Sequence, residues 1–246
     1  DIHVVGAHDV KHECWAIRND GALRTLEQLL AQTDAFYIAD GHHRAASALR
    51  CRDLMRATEP HASKTVAWER FLVVVFPSEQ LDILAYNRVV LDLNGWDEPG
   101  LLSALNETFE IHAMDKAVPS KRHCFDLYMG GVWKRLSLRE GRVDESDAVQ
   151  RLDVAILQNL VLEPLLGIAD PRVDKRVNFI GGIRGTRELE RLVDSGKAAL
   201  AFSMFPTAID ELLDVADAGE VMPPKSTWFE PKLASGLLVH LLDEDM

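Results

Sequence analysis

The sequence has few cysteines and no long apolar segment, and each absence excludes a class of protein. Cys14, Cys51 and Cys124 lie far apart and form no CxxC pair, so neither a disulfide framework nor a zinc knuckle is predicted. No apolar run reaches the length of a transmembrane helix, and no signal peptide is recognisable. The simplest expectation is a cytoplasmic protein with reduced thiols.

Positive charge is also scarce. The chain carries 27 Lys and Arg residues against 39 Asp and Glu residues, a formal net charge of -12. General binding to DNA or RNA needs a basic face, so this balance opposes a nucleic-acid role but leaves room for a small nucleotide pocket. With 246 residues, 47% of them hydrophobic, the chain is expected to form a sizeable core. The predicted partner is a small molecule, with no nucleic acid and no membrane, and the oligomeric state stays open.

The stretch from Phe36 to Leu49 predicts a strand, a tight turn and a helix. Residues 36–39 are predicted as the end of a buried strand, and Asp40 as the N-cap of the helix. Gly41 allows a sharp turn and the close approach of a ligand. The Ala-rich sequence that follows predicts a helix to about Ala57. A helix start offers unpaired N–H groups and a positive dipole end, which suit a phosphate.

The ionisable residues of this turn predict a phosphate site with chemistry beside it. The backbone N–H groups of Gly41 and His42, together with Arg44, are expected to hold phosphate. Asp40 is expected to bind Mg²⁺ or to act as a base, and His43 to donate to the transferring group. The alternative is that Asp40 only caps, Arg44 only pairs with it, and the histidines are solvated. Because four ionisable residues lie within the five positions 40–44, a functional site is favoured over this alternative.

The Asp40–Arg44 motif, after an apolar strand and before an Ala-rich helix, resembles the signature of the ParB/sulfiredoxin-like superfamily. That superfamily includes the nucleotide-binding domain of ParB partition proteins, sulfiredoxins and free serine kinases. The chain more closely resembles a bacterial and archaeal family known only as a domain of unknown function. The matching segments are Val10–His12 with Trp15, Ile38–Arg44, Leu152–Gly167, Asn178–Gly182 and Met222–Lys232. Because the resembled family usually carries a further N-terminal segment, the chain is expected to be a fragment.

The resemblance implies a nucleotide-binding protein and a phosphotransferase acting on a small hydroxylated metabolite such as a free amino acid. Its implied cofactors are Mg²⁺ and a nucleotide, either ATP, ADP or CTP. In the resembled serine kinases an early glutamate activates the substrate hydroxyl, and Glu13 is the candidate counterpart. A ParB-like binding module controlled by nucleotide, with slow or no turnover, is the alternative. Sulfiredoxin chemistry is disfavoured because His42 and His43 stand where those enzymes place a cysteine.

Glu13 also belongs to a possible metal-binding group with His8 and His12. Two imidazoles and a carboxylate suit a metal ion. The equal alternative is that all three are ordinary surface residues on a strand.

A second group of candidate residues lies in the last third of the chain. The glycine-rich loop 181–185, before a predicted helix, contains Gly182 and Arg184 and suits phosphate binding, although glycines also serve plain tight turns. A proline-stiffened loop follows at 222–232, and its donors are Lys225, Ser226, Thr227 and Lys232, with Trp228 and Phe229 available to stack on a base or seal a pocket. The alternative is a rigid surface loop with its aromatic residues tucked under it. Because an acidic chain must gather its few cations locally, both loops are predicted to lie beside the Asp40 turn in one pocket.

The pattern of apolar residues and turn signals along the rest of the chain predicts a mixed α/β fold, with one main sheet and helices on its faces. The whole of residues 1–246 is predicted to form a single large domain. Continuous apolar runs predict buried strands at 71–76 and 81–93, and Arg88 within the second run either pairs or binds an anion. A scaffold hairpin is predicted within 115–150, turning at Gly130-Gly131. Further predicted elements are helices at 22–32, 97–109, 152–166 and 186–194, one capped by Thr207, and strands at 109–114, 177–180 and 198–204.

Overall fold

The structure, a computed structural model, describes residues 2–5, 11–63, 65–117 and 119–242. Contacts along the chain divide it into two compact units. The first unit comprises residues 1–77 and 231–246, and the second comprises residues 78–230. The single domain expected over residues 1–246 therefore stays a prediction.

The described residues of the first unit form two strands, two α-helices and a short 3-10 helix at Ala67–Glu69. β1 (Ile2–Val5) pairs antiparallel with β2 (Lys11–Cys14). α1 (Asp20–Leu30) begins slightly earlier than predicted, because the side chain of Asn19 accepts a hydrogen bond from the N–H of Ala22 and caps the helix. α2 (His42–Thr58) follows the turn that the sequence singled out.

The second unit is built around a six-stranded sheet in the order β5-β7-β6-β9-β4-β8, in which every pair is antiparallel. Its elements, in chain order, are β3 (Asp82–Leu84), β4 (Tyr86–Val90), α3 (Glu98–Asn106), β5 (Phe109–Met114), β6 (Cys124–Met129), β7 (Val132–Leu138), α4 (Asp153–Leu157), β8 (Val177–Gly181), α5 (Gly185–Asp194), β9 (Leu200–Ser203), α6 (Ile209–Asp217) and β10 (Trp228–Glu230). Strands and helices together confirm the α/β fold.

Local sequence signals account for much of this unit. The hairpin β6–β7 turns at Gly130 and Gly131, whose φ angles of 62° and 78° are easy for glycine alone, so the predicted hairpin is confirmed. Asp97 caps α3 by accepting a hydrogen bond from the N–H of Gly100 at 2.8 Å, as predicted. Helical structure continues from α4 into a π-helical turn over Gln158–Leu162.

The main core lies in the second unit. Its fully buried side chains come from the sheet, from α3 and from the α4 segment, where the spacing predicted a core helix. They include Leu105, Phe109, Phe125, Leu127, Leu136, Ile156, Leu157, Val161, Leu166 and Phe202. This sheet and its core fix the positions of the loops on the unit that carry candidate residues.

Two predicted strands are wrong. Residues 36–39 and 71–76 form no strand ladder, and their large apolar side chains are exposed, with Phe36 at 56% and Val75 at 51%. Apolar character predicts that a segment favours burial, but a strand also needs a partner strand, which local sequence does not specify. The predicted long strand at 81–93 is instead divided at Ala85, whose carbonyl accepts a hydrogen bond from the N–H of Gly182.

Two predicted helix caps are also wrong. Gly41, with φ of 89°, is the N-cap of α2, and Asp40 precedes it. Ala208 is the N-cap of α6, because Thr207 is turned away and its hydroxyl donates to the carbonyl of Ser226 at 3.1 Å. Within the described residues, no helix is both long enough and apolar enough to cross a membrane.

Candidate functional site

The start of α2 is an uncapped helix N-terminus. Gly41 adopts a left-handed conformation and provides no side chain to accept hydrogen bonds from the first turn. The helix has 17 residues, so a full set of aligned peptide dipoles ends at this turn. Free N–H groups and a positive dipole end make this a place where an anion is stabilised.

Asp40 lies beside this N-terminus and pairs with a lysine from the distant end of the chain. One carboxylate oxygen accepts a hydrogen bond from the N–H of Gly41 at 2.7 Å. The other accepts from Nζ of Lys232 at 3.0 Å. Partial burial by itself raises the pKa of Asp40, but the bond and charge of Lys232, with the Gly41 bond and the charge of Arg44, lower it overall. Asp40 is therefore ionised at neutral pH.

Arg44 folds back over the turn. A Cβ atom added at Gly41 would lie 3.0 Å from Nη2 of Arg44, so the guanidinium covers the glycine. His42 and His43 are the first two residues of α2, and their side chains are exposed. The structure thus brings Asp40, the turn and Arg44 together at one helix start.

One face of α2 leads from Arg44 into a cavity of about 290 Å³. Ser47, Ala48 and Cys51 follow Arg44 at spacings of three, four and seven residues, which place all four on one helix face. The lining is mostly apolar and consists of Ser47, Ala48, Cys51, Trp68, Arg70, Phe71, Leu72, His240 and Leu242. His240 is fixed there by a hydrogen bond to the carbonyl of Ala67 at 2.9 Å.

Glu13 lies on β2, where it is engaged by two neighbours. Its carboxylate accepts from Nζ of Lys11 at 2.8 Å and lies 3.2 Å from Nδ1 of His3. His12 is on the same strand, and His8 lies outside the described residues. Over the described part of the chain, no group of three His, Cys, Asp or Glu side chains is placed to hold a metal ion.

Two further candidates, Gly182 and Arg184, lie at the end of β8 in the second unit. A Cβ at Gly182 would lie 2.8 Å from the carbonyl oxygen of Ala85, so the glycine permits the close backbone contact that divides β3 from β4. Arg184 is exposed at the N-terminus of α5. The glycine therefore has a packing role of its own, while the arginine is accessible to solvent.

The loop before β10 carries Lys225, Ser226 and Thr227. Lys225 is exposed and has a φ of 57°, unusual for a residue with a side chain. Ser226 is buried, and its hydroxyl donates to the carbonyl of Pro223 at 2.5 Å. Thr227 is half-buried. The hydroxyl of Ser226 thus serves the loop itself, whereas Lys225 is accessible to solvent.

Arg88, for which pairing and anion binding were both open, is buried on β4. Its guanidinium donates to the backbone carbonyls of Tyr86 and of Lys225, the latter at 3.1 Å. Because Arg44 belongs to the first unit and Arg184 and Lys225 to the second, the predicted shared pocket stays a prediction.

Sequence reasoning missed two features of the α2 start. It named Lys232 as a donor of its loop but did not pair it with Asp40, and it did not foresee the cavity beside Cys51. The available signal for the cavity was the pair Ala48 and Cys51, two small apolar residues three positions apart on one face of α2. No signal in the local sequence joins two residues that are 192 positions apart.

Comparisons with known proteins give a family and several distant structures. A search of curated proteins found no match. A free serine kinase variant in complex with AMP is 16% identical, with a TM-score of 0.44 over 80% of this chain and 69% of that one. A variant in complex with ADP is 16% identical, with a TM-score of 0.42 over 87% and 82%. A conserved hypothetical protein from Pyrococcus furiosus is also 16% identical, with a TM-score of 0.42 over 80% and 71%.

At these identities and scores, the activity and ligands named for those structures are properties of those proteins. The family comparison extends further, because the model of DUF1015, described as a protein of unknown function, matches residues 1–155. That span is more than half of the 246 residues. The chain therefore belongs to the DUF1015 family.

Proposed function

We propose that the start of α2 binds the phosphate of a nucleotide and that the protein is a phosphotransferase acting on a small hydroxylated metabolite, such as a free amino acid. The observation that carries this proposal is the ionised Asp40 beside an uncapped helix N-terminus. An anion-binding helix start adjoins a carboxylate that can accept a proton, and phosphoryl transfer needs both kinds of group.

Each residue has a defined role in this proposal. The N–H groups of the first turn and the guanidinium of Arg44 hold the phosphate and fix its orientation. Asp40 accepts the proton of the substrate hydroxyl, and the ammonium of Lys232 keeps that carboxylate ionised and oriented. His43 donates a hydrogen bond to the transferring group.

The alternative to the base role is that Asp40 holds Mg²⁺ together with the nucleotide. Mg²⁺ is commonly held by one or two carboxylates and the phosphates, so one protein carboxylate is sufficient. When bound, Mg²⁺ would neutralise phosphate charge. The cavity beside Ser47 and Cys51 would bind the nucleobase of the nucleotide, because its apolar walls lie on the helix face that carries Arg44.

The direct test is an incubation with ATP, ADP or CTP, Mg²⁺ and a panel of hydroxylated amino acids, followed by phosphorus NMR. A new phosphomonoester signal that requires both the protein and the acceptor is expected. Nucleotide binding without product would favour the ParB-like binding module instead. If no nucleotide binds and no product forms with any of them, the proposal is overturned.

A further inference from the structure

A cluster of aromatic and cationic side chains lies where β4, β8 and β10 come together in the second unit. The rings of Tyr86 and Trp228 have centroids 5.3 Å apart, and those of Tyr86 and Phe179 are 6.4 Å apart. Trp228 lies against Gly181, where a Cβ atom would come within 2.4 Å of its ring. The absence of a side chain at Gly181 therefore makes room for the indole.

Two cations accompany these rings. The guanidinium carbon of Arg88 lies 5.3 Å from the centroid of Phe179, and Nζ of Lys225 lies 5.5 Å from the centroid of Tyr86. Arg88 is 3% exposed, whereas Lys225 is exposed. The cluster thus extends from a buried charge to one in contact with solvent.

The buried charge of Arg88 has no carboxylate partner. Across the described ranges, no Asp or Glu oxygen lies within 4.0 Å of a nitrogen of Arg88 or Lys225. Burial lowers the pKa of Arg88 to about 10, so its guanidinium stays charged at neutral pH. Buried charges are normally paired because desolvation is costly.

An ion pair in the same sheet shows the ordinary arrangement for a buried charge. Arg135 on β7 donates to both oxygens of the fully buried Asp126 on β6, at 2.8 and 3.0 Å. Arg88 instead donates to two neutral backbone carbonyls, which solvate a charge without neutralising it. One of them is the carbonyl of Lys225, a residue held at a φ of 57°.

We propose that Arg88 and Lys225 form an oxyanion site, and that a phosphate or carboxylate oxygen takes the place of the Lys225 carbonyl as acceptor for Arg88. The guanidinium is suited to a forked pair of bonds with either anion. The ammonium of Lys225 supplies the second charge, and the rings of Tyr86 and Trp228, inclined at 60° to each other, offer apolar contacts to the rest of the ligand. The site lies within the second unit and does not rest on the proposed function of the α2 start.

The test measures binding of sodium phosphate and of sodium acetate by thermal shift and calorimetry, at matched ionic strength. Lys225→Met keeps the side-chain stem over Tyr86 and removes the charge, so this variant is expected to fold. It should raise the Kd for the preferred anion at least tenfold. Arg88→Gln should do the same, whereas Arg172→Gln, at an exposed residue paired with Asp170, should leave Kd unchanged.

The preferred anion identifies the ligand class, since phosphate indicates a phosphorylated ligand and acetate a carboxylate metabolite. All of these titrations use an Arg44→Ala background, which removes the phosphate contact proposed for the start of α2, so the measured Kd reports the second unit and the two proposals can fail separately. Unchanged Kd values in Lys225→Met and in a folded Arg88→Gln would overturn the inference. If neither anion binds to the wild type, Arg88 serves only to hold the Lys225 loop, and the inference also fails.

Discussion

The proposed chemistry depends, at the scale of single residues, on the charge of Asp40. Its carboxylate bonds to the N–H of Gly41 and to Lys232, and neither bond is part of a helix cap. An exposed ion pair of this kind contributes at most about 1 kcal/mol to stability. If Asp40 has the proposed catalytic role, stability and activity should therefore respond differently to its replacement.

Asp40→Asn should abolish phosphate transfer while changing the free energy of unfolding by less than about 1 kcal/mol. Asparagine keeps an oxygen for the N–H of Gly41 and removes the charge that accepts a proton. Product formation and urea unfolding of the same preparations test this prediction. Full activity in Asp40→Asn would remove Asp40 from the catalytic role.

Arg44→Ala should weaken nucleotide binding by about 1.5–3 kcal/mol, the range for hydrogen bonds to charged groups. Arg50→Ala is the matched control, since Arg50 is an exposed arginine on the same helix and should bind nucleotide as the wild type does. Calorimetry measures both. Equal losses in the two variants would point to a general effect of charge.

Asp153 is expected to make stability depend on pH near neutrality, because its pKa is raised to about 7, mainly by burial. One oxygen accepts from the N–H of His123 at 2.7 Å, and the other has no partner among the described residues. The charges of His123 and Arg122 lower the pKa, and that of Glu211 raises it. Since the folded state binds the proton more tightly, stability is greatest below about pH 4 for this group and is lost as pH rises towards 7.

Asp153→Asn should therefore remove this decline and make the protein more stable than the wild type at pH 8. Urea unfolding at pH 5 and pH 8 measures the difference for both proteins. Asp144→Asn, at an exposed residue, is the control and should keep the wild-type slope. An unchanged slope in Asp153→Asn would show that Asp153 does not titrate in this range.

Secondary structure elements differ in how far the local sequence determines them. The β6–β7 hairpin and α3 carry their own signals, a glycine pair and an Asp cap, and both were predicted. The apolar runs at 36–39 and 71–76 were predicted as strands and are not, because a ladder depends on a partner remote in sequence. The candidate site divides in the same way, since Asp40, Gly41 and Arg44 share one turn but Lys232 comes from elsewhere.

Gly41→Ala tests the turn as an element. A residue with a Cβ at a φ of 89° is strained, and the new methyl group would also press on the flexible end of Arg44. We expect a loss of about 1–2 kcal/mol in stability and weaker nucleotide binding. Gly21→Ala, at a glycine inside α1 without a positive φ, should be much milder. Comparable losses in both would contradict a special role for the Gly41 turn.

Burial is distributed unevenly over the whole molecule. Among the described residues, Trp68 is the one buried apolar side chain of the first unit, whereas the second unit contains the main core. Regions with few buried apolar contacts open at low free energy. Hydrogen exchange should therefore be slowest in β6 and β9 and much faster in α2. Equal protection of α2 and β6 would contradict this prediction.

The first unit is discontinuous in sequence, with residues 1–77 and 231–246 on either side of the second unit. During synthesis on the ribosome, Asp40 emerges 192 residues before Lys232, the lysine with which it pairs. The whole of the second unit is translated in that interval. A nascent chain can therefore complete the six-stranded sheet while the carboxylate at the start of α2 still lacks the lysine, so the proposed phosphate site reaches its final electrostatic state only after Lys232 has been translated.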